Sequence, residues 1–198
     1  MIPGSEGARV VNHIDTTDKV VFLTIDDGQV KDPAVMDFLV EHQWPATFFL
    51  VSGEFHEDPA YFGRILPIGG SISSHTLNHP ALKGMDYEAQ RKQICGMKSV
   101  IANQFGGFAG HLMRPPYGSW DGNTRLASAS CGINAVVVWN SELWEGHVDL
   151  AHRPALQPGD IFLTHFRSDL LDNLIALEAA ITEQGFTIGR LEDYLPLG

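Results

Sequence analysis

Runs of apolar residues alternate with helical stripes along the whole chain. Val20 to Ile25 (VVFLTI) is nearly all apolar and rich in β-branched side chains, the pattern of a strand covered on both faces as in a parallel sheet. Asp32 followed by Pro33 reads as an N-cap and first helical position, with Val35, Met36, Leu39 and Val40 as the buried stripe. A second strand is predicted over Ala46 to Val51. Asp58-Pro59 repeats the helix-start chemistry for a short helix over Ala60 to Leu66, and a strand follows at Ser71 to Ser74. Asp86 is placed to cap a long helix reaching about Phe105, His111 to Arg114 reads as a short strand, and Asp121 caps a helix closed by Gly132. Strands are expected at Asn134 to Trp139 and Asp160 to Thr164. Ser168 is then expected to cap a last helix stopping at Gly185, followed by a short Phe186 to Ile188 strand and a Leu191 to Leu195 turn. Residues 1–18 are polar and weakly patterned and read as a lead-in arm, which leaves 19–198 as one domain.

Strand–helix alternation implies an α/β fold with a parallel sheet, and the lack of a glycine-rich dinucleotide loop favours a closed barrel over an open sheet. A full eight-unit barrel takes about 250 residues. At 198 residues the chain is therefore expected to form a distorted, trimmed (β/α) barrel of about seven strands. Its 44% apolar content supports a single substantial core. The net charge of −11, with 13 scattered Lys and Arg, argues against nucleic acid as a partner. No stretch approaches the roughly 20 apolar residues of a membrane span, so a soluble chain is expected. Cys95 and Cys131 lie in two predicted helices and can be a disulfide or two thiols; a bridge requires those helices to be neighbours.

Five apolar runs break into polar residues of catalytic type: Thr24-Ile25-Asp26-Asp27-Gly28, Ser74-His75-Thr76-Leu77-Asn78-His79, Arg114-Pro115-Pro116-Tyr117-Gly118, Trp139-Asn140-Ser141-Glu142 and Leu163-Thr164-His165. In strand–helix folds, ligands and catalytic groups gather where strands hand over to the following loops. Metal-assisted hydrolysis needs three protein ligands and one open position, and Asp27, His75 and His79 fit that need. Two histidines four apart can face one point, although that spacing alone is more often a polar surface.

The order TIDDG, HTLNH, RPPYG and LTH resembles that of the polysaccharide deacetylases, carbohydrate esterase family four, also called NodB-homology domains. The resemblance extends from Val20 to about Leu195. It implies that Asp26 is the general base and that Asp27, His75 and His79 hold a divalent metal, usually zinc, with cobalt or nickel as alternatives. The metal would activate a water that attacks an acetyl carbonyl. By the same resemblance Arg114 pairs with and orients the base, and the Tyr117 N–H stabilises the oxyanion on a backbone stiffened by Pro115 and Pro116. His165 would protonate the leaving group, Leu163 would line the acetyl pocket, and Trp139 and Pro116 would contact substrate. The implied substrate is a polysaccharide or oligosaccharide with N-acetylglucosamine units, as in peptidoglycan or chitin-like chains; acetylated xylan is the sibling alternative. A secreted or cell-envelope location follows from that substrate class, and a monomer is expected.

One motif departs from the family pattern. Where the family places an Asp to pair with the acid histidine, this chain is expected to carry Asn140, and a neutral amide stabilises a protonated ring less than a carboxylate does. Glu142 or Asp169 could substitute. Loss of that carboxylate also motivates a rival reading, a carbohydrate-binding domain without turnover, and a small cyclic amide is a further alternative substrate. Trp144, with Trp139, is a candidate sugar platform. Trp44, Trp120, Phe55, His111 and Tyr61 fall in or near predicted loops and are candidates to face a substrate groove.

Overall fold

The computed structural model describes residues 7–106 and 109–195; residues 1–6 of the expected arm and the last three residues of the expected domain lie outside the described residues. Ten strands and six helices alternate in it: β1 (Arg9–Val11), β2 (Val20–Asp27), α1 (Pro33–Glu41), β3 (Thr47–Leu50), α2 (Ser52–Glu57), α3 (Pro59–Gly63), β4 (Ser71–Ser74), α4 (Tyr87–Phe105), β5 (Ala109–Met113), α5 (Gly122–Ser130), β6 (Ala135–Val137), β7 (Ser141–Trp144), β8 (His147–Asp149), β9 (Ile161–His165), α6 (Leu170–Gln184) and β10 (Thr187–Ile188). The sheet order is β1-β6-β5-β4-β3-β2-β9-β7-β8, with β10 beside β2. Every strand pair is parallel except the β7–β8 hairpin. A bridge between His13 and Asp160 brings the segment after β1 to the start of β9, so the curled sheet rolls into a distorted barrel.

Strand alternation explains how the barrel acquires an apolar floor and a polar mouth. Along β2, Val21, Leu23 and Ile25 pack outward under the helices, whereas Val20 and Phe22 join Phe49, Leu112, Ile161, Leu191 and Leu195 in an inner cluster. Thr24 and Asp26 continue the inner face upward and are polar. All eight residues of β2 are buried, and each fully buried aliphatic or aromatic side chain there contributes about 1.5–3 kcal/mol. Helix starts follow the sequence closely. The carboxylates of Asp32, Asp58, Asp86 and Asp121 accept from the backbone N–H groups of Ala34, Tyr61, Ala89 and Thr124, and Gly185 closes α6 in the left-handed region. Cys95 in α4 and Cys131 at the end of α5 form a disulfide with Cα atoms 5.1 Å apart. Closing a loop with a sequence separation of 36 restricts the unfolded chain by about 4 kcal/mol in the chain-entropy account.

Four expectations need correction. The sheet has ten strands among the described residues rather than about seven. The expected lead-in arm contributes β1, which pairs with β6 in the register Arg9–Ala135 to Val11–Val137; its three residues are too few for a strand pattern to show. The segment after Asn140 forms the β7–β8 hairpin, and Ser52–Glu57 adds a short helix. Asp169, not Ser168, is the N-cap of α6. The Asp169 carboxylate makes no cap bond to the helix and accepts instead from the backbone N–H of Glu145 in the hairpin turn, at 2.8 Å, and from the side chain of Asn173.

Candidate active site

β2 delivers the paired carboxylates at its end, beyond Thr24 and the apolar layer of Val20 and Phe22. Asp26 still points inward, and Asp27 escapes alternation because its φ is 74°. Non-glycine residues in this region cost of order 1–3 kcal/mol and persist where the surroundings over-determine them. Asp27, Thr76, His79 and Tyr117 account for four of the eight such residues among those described, so backbone strain concentrates at this mouth.

Arg114 plugs the barrel beneath the carboxylates. It is fully buried, and Nη1 donates to Asp26 Oδ1 at 2.8 Å and to Thr24 Oγ1 at 2.7 Å. Nε donates to the carbonyl of Val137 and Nη2 to that of Val138, while the guanidinium lies over the rings of Phe49 and Trp139. Burial pushes Arg114 below its ordinary pKa; the Asp26 carboxylate opposes that shift by Coulomb attraction and hydrogen bonding. The network holds one Asp26 oxygen and turns the other, Oδ2, toward His75 Nε2 at 3.7 Å.

Asp27 Oδ1, His75 Nε2 and His79 Nε2 form a small triangle with sides of 3.6, 3.4 and 3.2 Å. Donors at metal–ligand distances of 2.0–2.2 Å in tetrahedral arrangement stand about 3.3–3.6 Å apart, so the three groups fit a divalent ion of zinc's kind. The His75 ring is set for ligation. Its Nδ1 donates to the carbonyl of Arg114 at 2.8 Å, which leaves the Nε2 lone pair facing the triangle. Burial lowers the pKa of His75, outweighing the neighbouring carboxylates, and favours the neutral, ligating ring. His79 is held by a backbone bond to Thr76 Oγ1 and by contact of Nδ1 with the Tyr117 hydroxyl at 3.2 Å.

A cavity of about 310 Å³ opens above this triangle and brings together Asp26, Asp27, His75, His79, Tyr117, Trp139, Leu163 and His165 from the expected set, with Glu142. β9 places Leu163 and His165 on one face, and its register sets His165 beside Asp26. Pro116 is buried and is not on the cavity lining. Arg167 also lines the cavity and was missed; its only sequence signal is a position two residues beyond His165.

Asn140 does not face His165. Its amide Nδ2 donates to Asp160 Oδ1 at 2.8 Å and its Oδ1 accepts from the Ile161 N–H at 2.9 Å, so it staples the start of β9. Glu142 is the motif residue that lines the cavity, where it accepts from Trp139 Nε1. Among the described residues the His165 side chain has no hydrogen-bond partner, and Asp169 is committed to the hairpin turn. Trp44, Phe55 and Tyr61 are core residues rather than groove residues, His111 lines a separate cavity with Arg190, and the half-exposed Trp120 does not line the site. Asn140→Asp sets a second carboxylate against fully buried Asp160 and is expected to lower stability by about 1–3 kcal/mol in denaturant melts, leaving the pH profile of activity where it was.

A family model described as polysaccharide deacetylase matches residues 13–136. The chain belongs to the polysaccharide deacetylase family. It is 41% identical over 197 residues to an uncharacterised protein of Streptomyces coelicolor, covering 94% of this chain and 77% of the relative. To a chitooligosaccharide deacetylase of Sinorhizobium fredii it is 29% identical over 205 residues, covering 92% and 95%. Among solved structures, the chitin deacetylase of Colletotrichum lindemuthianum superposes with a TM-score of 0.82 at 19% identity, over 97% of this chain and 93% of that one, which shows a shared fold. The family model ends before β7, so Glu142, Leu163 and His165 of this polysaccharide deacetylase family member lie beyond its matched segment.

Proposed function

We propose that this chain is a metal-dependent hydrolase that removes acetyl groups from N-acetylglucosamine units of a peptidoglycan or chitin-like polysaccharide or oligosaccharide, with acetylated xylan as the sibling alternative. The carrying observation is the division between neighbouring carboxylates, with Asp27 facing two imidazole nitrogens and Asp26 fixed at one oxygen by Arg114. A divalent metal held by Asp27, His75 and His79 would supply Lewis acidity, lowering the pKa of a water and polarising the acetyl carbonyl. Asp26, with Oδ2 unclaimed by Arg114, takes a proton from the attacking water. The backbone N–H of Tyr117 serves as oxyanion donor, on a turn fixed by Pro115 and Pro116. His165 gives the proton to the departing amine as the C–N bond breaks, and acetate and a free amine result. Leu163, beside His165 on β9, provides the apolar wall for the acetyl methyl. Glu142, a carboxylate on the lining of the same cavity, takes the role of partner to that acid in place of the Asn140 amide.

Sugar polymers of this kind lie at or outside the cell envelope, and the Cys95–Cys131 disulfide fits an oxidising compartment. All the proposed groups come from one chain, which supports action as a monomer. The test is acetate release from N-acetylglucosamine oligomers, peptidoglycan fragments and acetylated xylan, using protein stripped of metal and then given zinc, cobalt, nickel or none. Release restored by metal and fastest on the N-acetylglucosamine oligomers is expected; no release from any substrate, despite metal uptake, would overturn the proposal.

A further inference from the structure

The catalytic cavity does not end at Trp139. A second cavity of about 180 Å³ shares Trp139 and Glu142 with its lining, and the wall continues through Asn140, Ser141, Asp149 and Ala151. Its floor is the β7–β8 hairpin. Antiparallel register sets Glu142 directly opposite Asp149 and Trp144 opposite His147, all four on the exposed face, and Trp144 is 52% exposed. An indole standing clear of the core beside a carbohydrate site is a surface on which a sugar ring can stack.

The carboxylate pair is the informative part. Like charges directly opposite on paired strands destabilise a sheet, and among the described residues neither Glu142 nor Asp149 has a cationic partner. Glu142 accepts from Trp139 Nε1, and Asp149 Oδ1 accepts from the Ala151 N–H at 2.8 Å, which leaves Glu142 Oε2 and Asp149 Oδ2 without a donor. Arg153 is spent on Asp160, Ser141 and the Leu150 carbonyl, and Arg167 lines the catalytic cavity, not this one. The adjoining loop is itself strained, with Ala151 and His152 both at positive φ.

We infer that this groove is a second saccharide subsite that takes a glucosamine unit, as its ammonium ion, next to the N-acetylglucosamine unit being hydrolysed. The inference rests on the function proposed above and narrows its substrate to partly deacetylated chains. The hexosamine ring lies against the Trp144 face and its ammonium group sits between Glu142 and Asp149, where it removes their mutual repulsion. Each hydrolysis creates such an amine, so a product unit that shifts into the groove draws the next acetylated unit over the catalytic groups.

Two measurements test this. N-acetylglucosamine tetramer and tetramers carrying one glucosamine are compared as substrates at low ionic strength, and glucosamine tetramer is titrated into metal-stripped protein by calorimetry. The mixed tetramers are expected to show kcat/KM about fivefold higher than the fully acetylated one, chiefly through KM. In Asp149→Asn, which keeps the acceptor for Ala151, that ratio should fall toward one, as it should for wild type in 0.5 M salt. Glucosamine tetramer should bind wild type and weaken about fivefold in Asp149→Asn and in Trp144→Ala. Equal kcat/KM for both substrates in wild type, or binding indifferent to Asp149→Asn, would overturn the subsite while acetate release continued. Failure to release acetate from any tetramer would instead strike the function on which the inference rests.

Discussion

Asp26→Asn is expected to keep the divalent metal at the wild-type ratio per chain and to lose turnover by a factor of about 100 or more. The replacement is nearly isosteric, and its amide oxygen can still accept from Arg114 Nη1, so the three facing groups of Asp27, His75 and His79 are left as they stand. What disappears is a carboxylate able to take a proton. A second effect accompanies the first. Arg114 is fully buried and Asp26 is the only carboxylate within ion-pairing distance of it among the described residues, so the variant leaves a buried cation uncompensated, a change that costs about 3–5 kcal/mol when one partner of a buried pair is removed. Turnover is therefore compared well below the melting temperature of the variant, with metal content measured on the same sample. Wild-type turnover in a metal-loaded Asp26→Asn protein would remove Asp26 from the role of base.

His79→Ala should act differently, lowering metal content and activity together. The loss of activity is expected to be about 100-fold or more, since a metal's polarising charge is worth several kcal/mol at the transition state. The fold should tolerate this change, because the side chain is 28% exposed and its hydrogen bonds run to Tyr117 and to the facing His75 within the same site. A readout independent of turnover is available. Zinc should raise the melting temperature of wild type and not of His79→Ala, as a ligand that binds only the folded state must. An active variant free of metal would end the assignment of His79 as a ligand.

Much of this architecture is legible in the sequence because its strands are buried on both faces. A run such as Val20 to Ile25 needs no phase to be recognised, and the Asp-Pro and Asp caps announce the helices that follow. The site was legible for a related reason. Each candidate site residue stands where an apolar run stops, and the barrel's curl brings those stops together, from Asp26 on β2 to His165 on the adjacent β9. The misses share a cause of their own. β7 and β8 are short and half exposed, so Ser141 to Asp149 carries only a brief alternation, although its two-residue Glu145-Gly146 turn, with φ of 49° and 73°, is the kind that joins tight hairpins. Without the hairpin, Asn140 reads as standing at the position of the family's motif Asp; with it, Asn140 belongs to the seam with Asp160 and Glu142 to the cavity. Arg167 was missed because nothing in the chain shows which residue after a strand end turns back over the site.

β1 has a bearing on how the chain can be shortened. Cutting at Asp18, where the patterned region begins, would strip β6 of one of its two neighbours, free the Val138 N–H from the Val11 carbonyl, and separate Ile14 from Gly159. The bared rim of β6 would be a row of unpaired donors and acceptors flanked by Val136 and Val137, the sort of surface on which one molecule templates a strand of another. A shortened protein holding every catalytic motif intact would then be lost to self-association before its chemistry could be assayed.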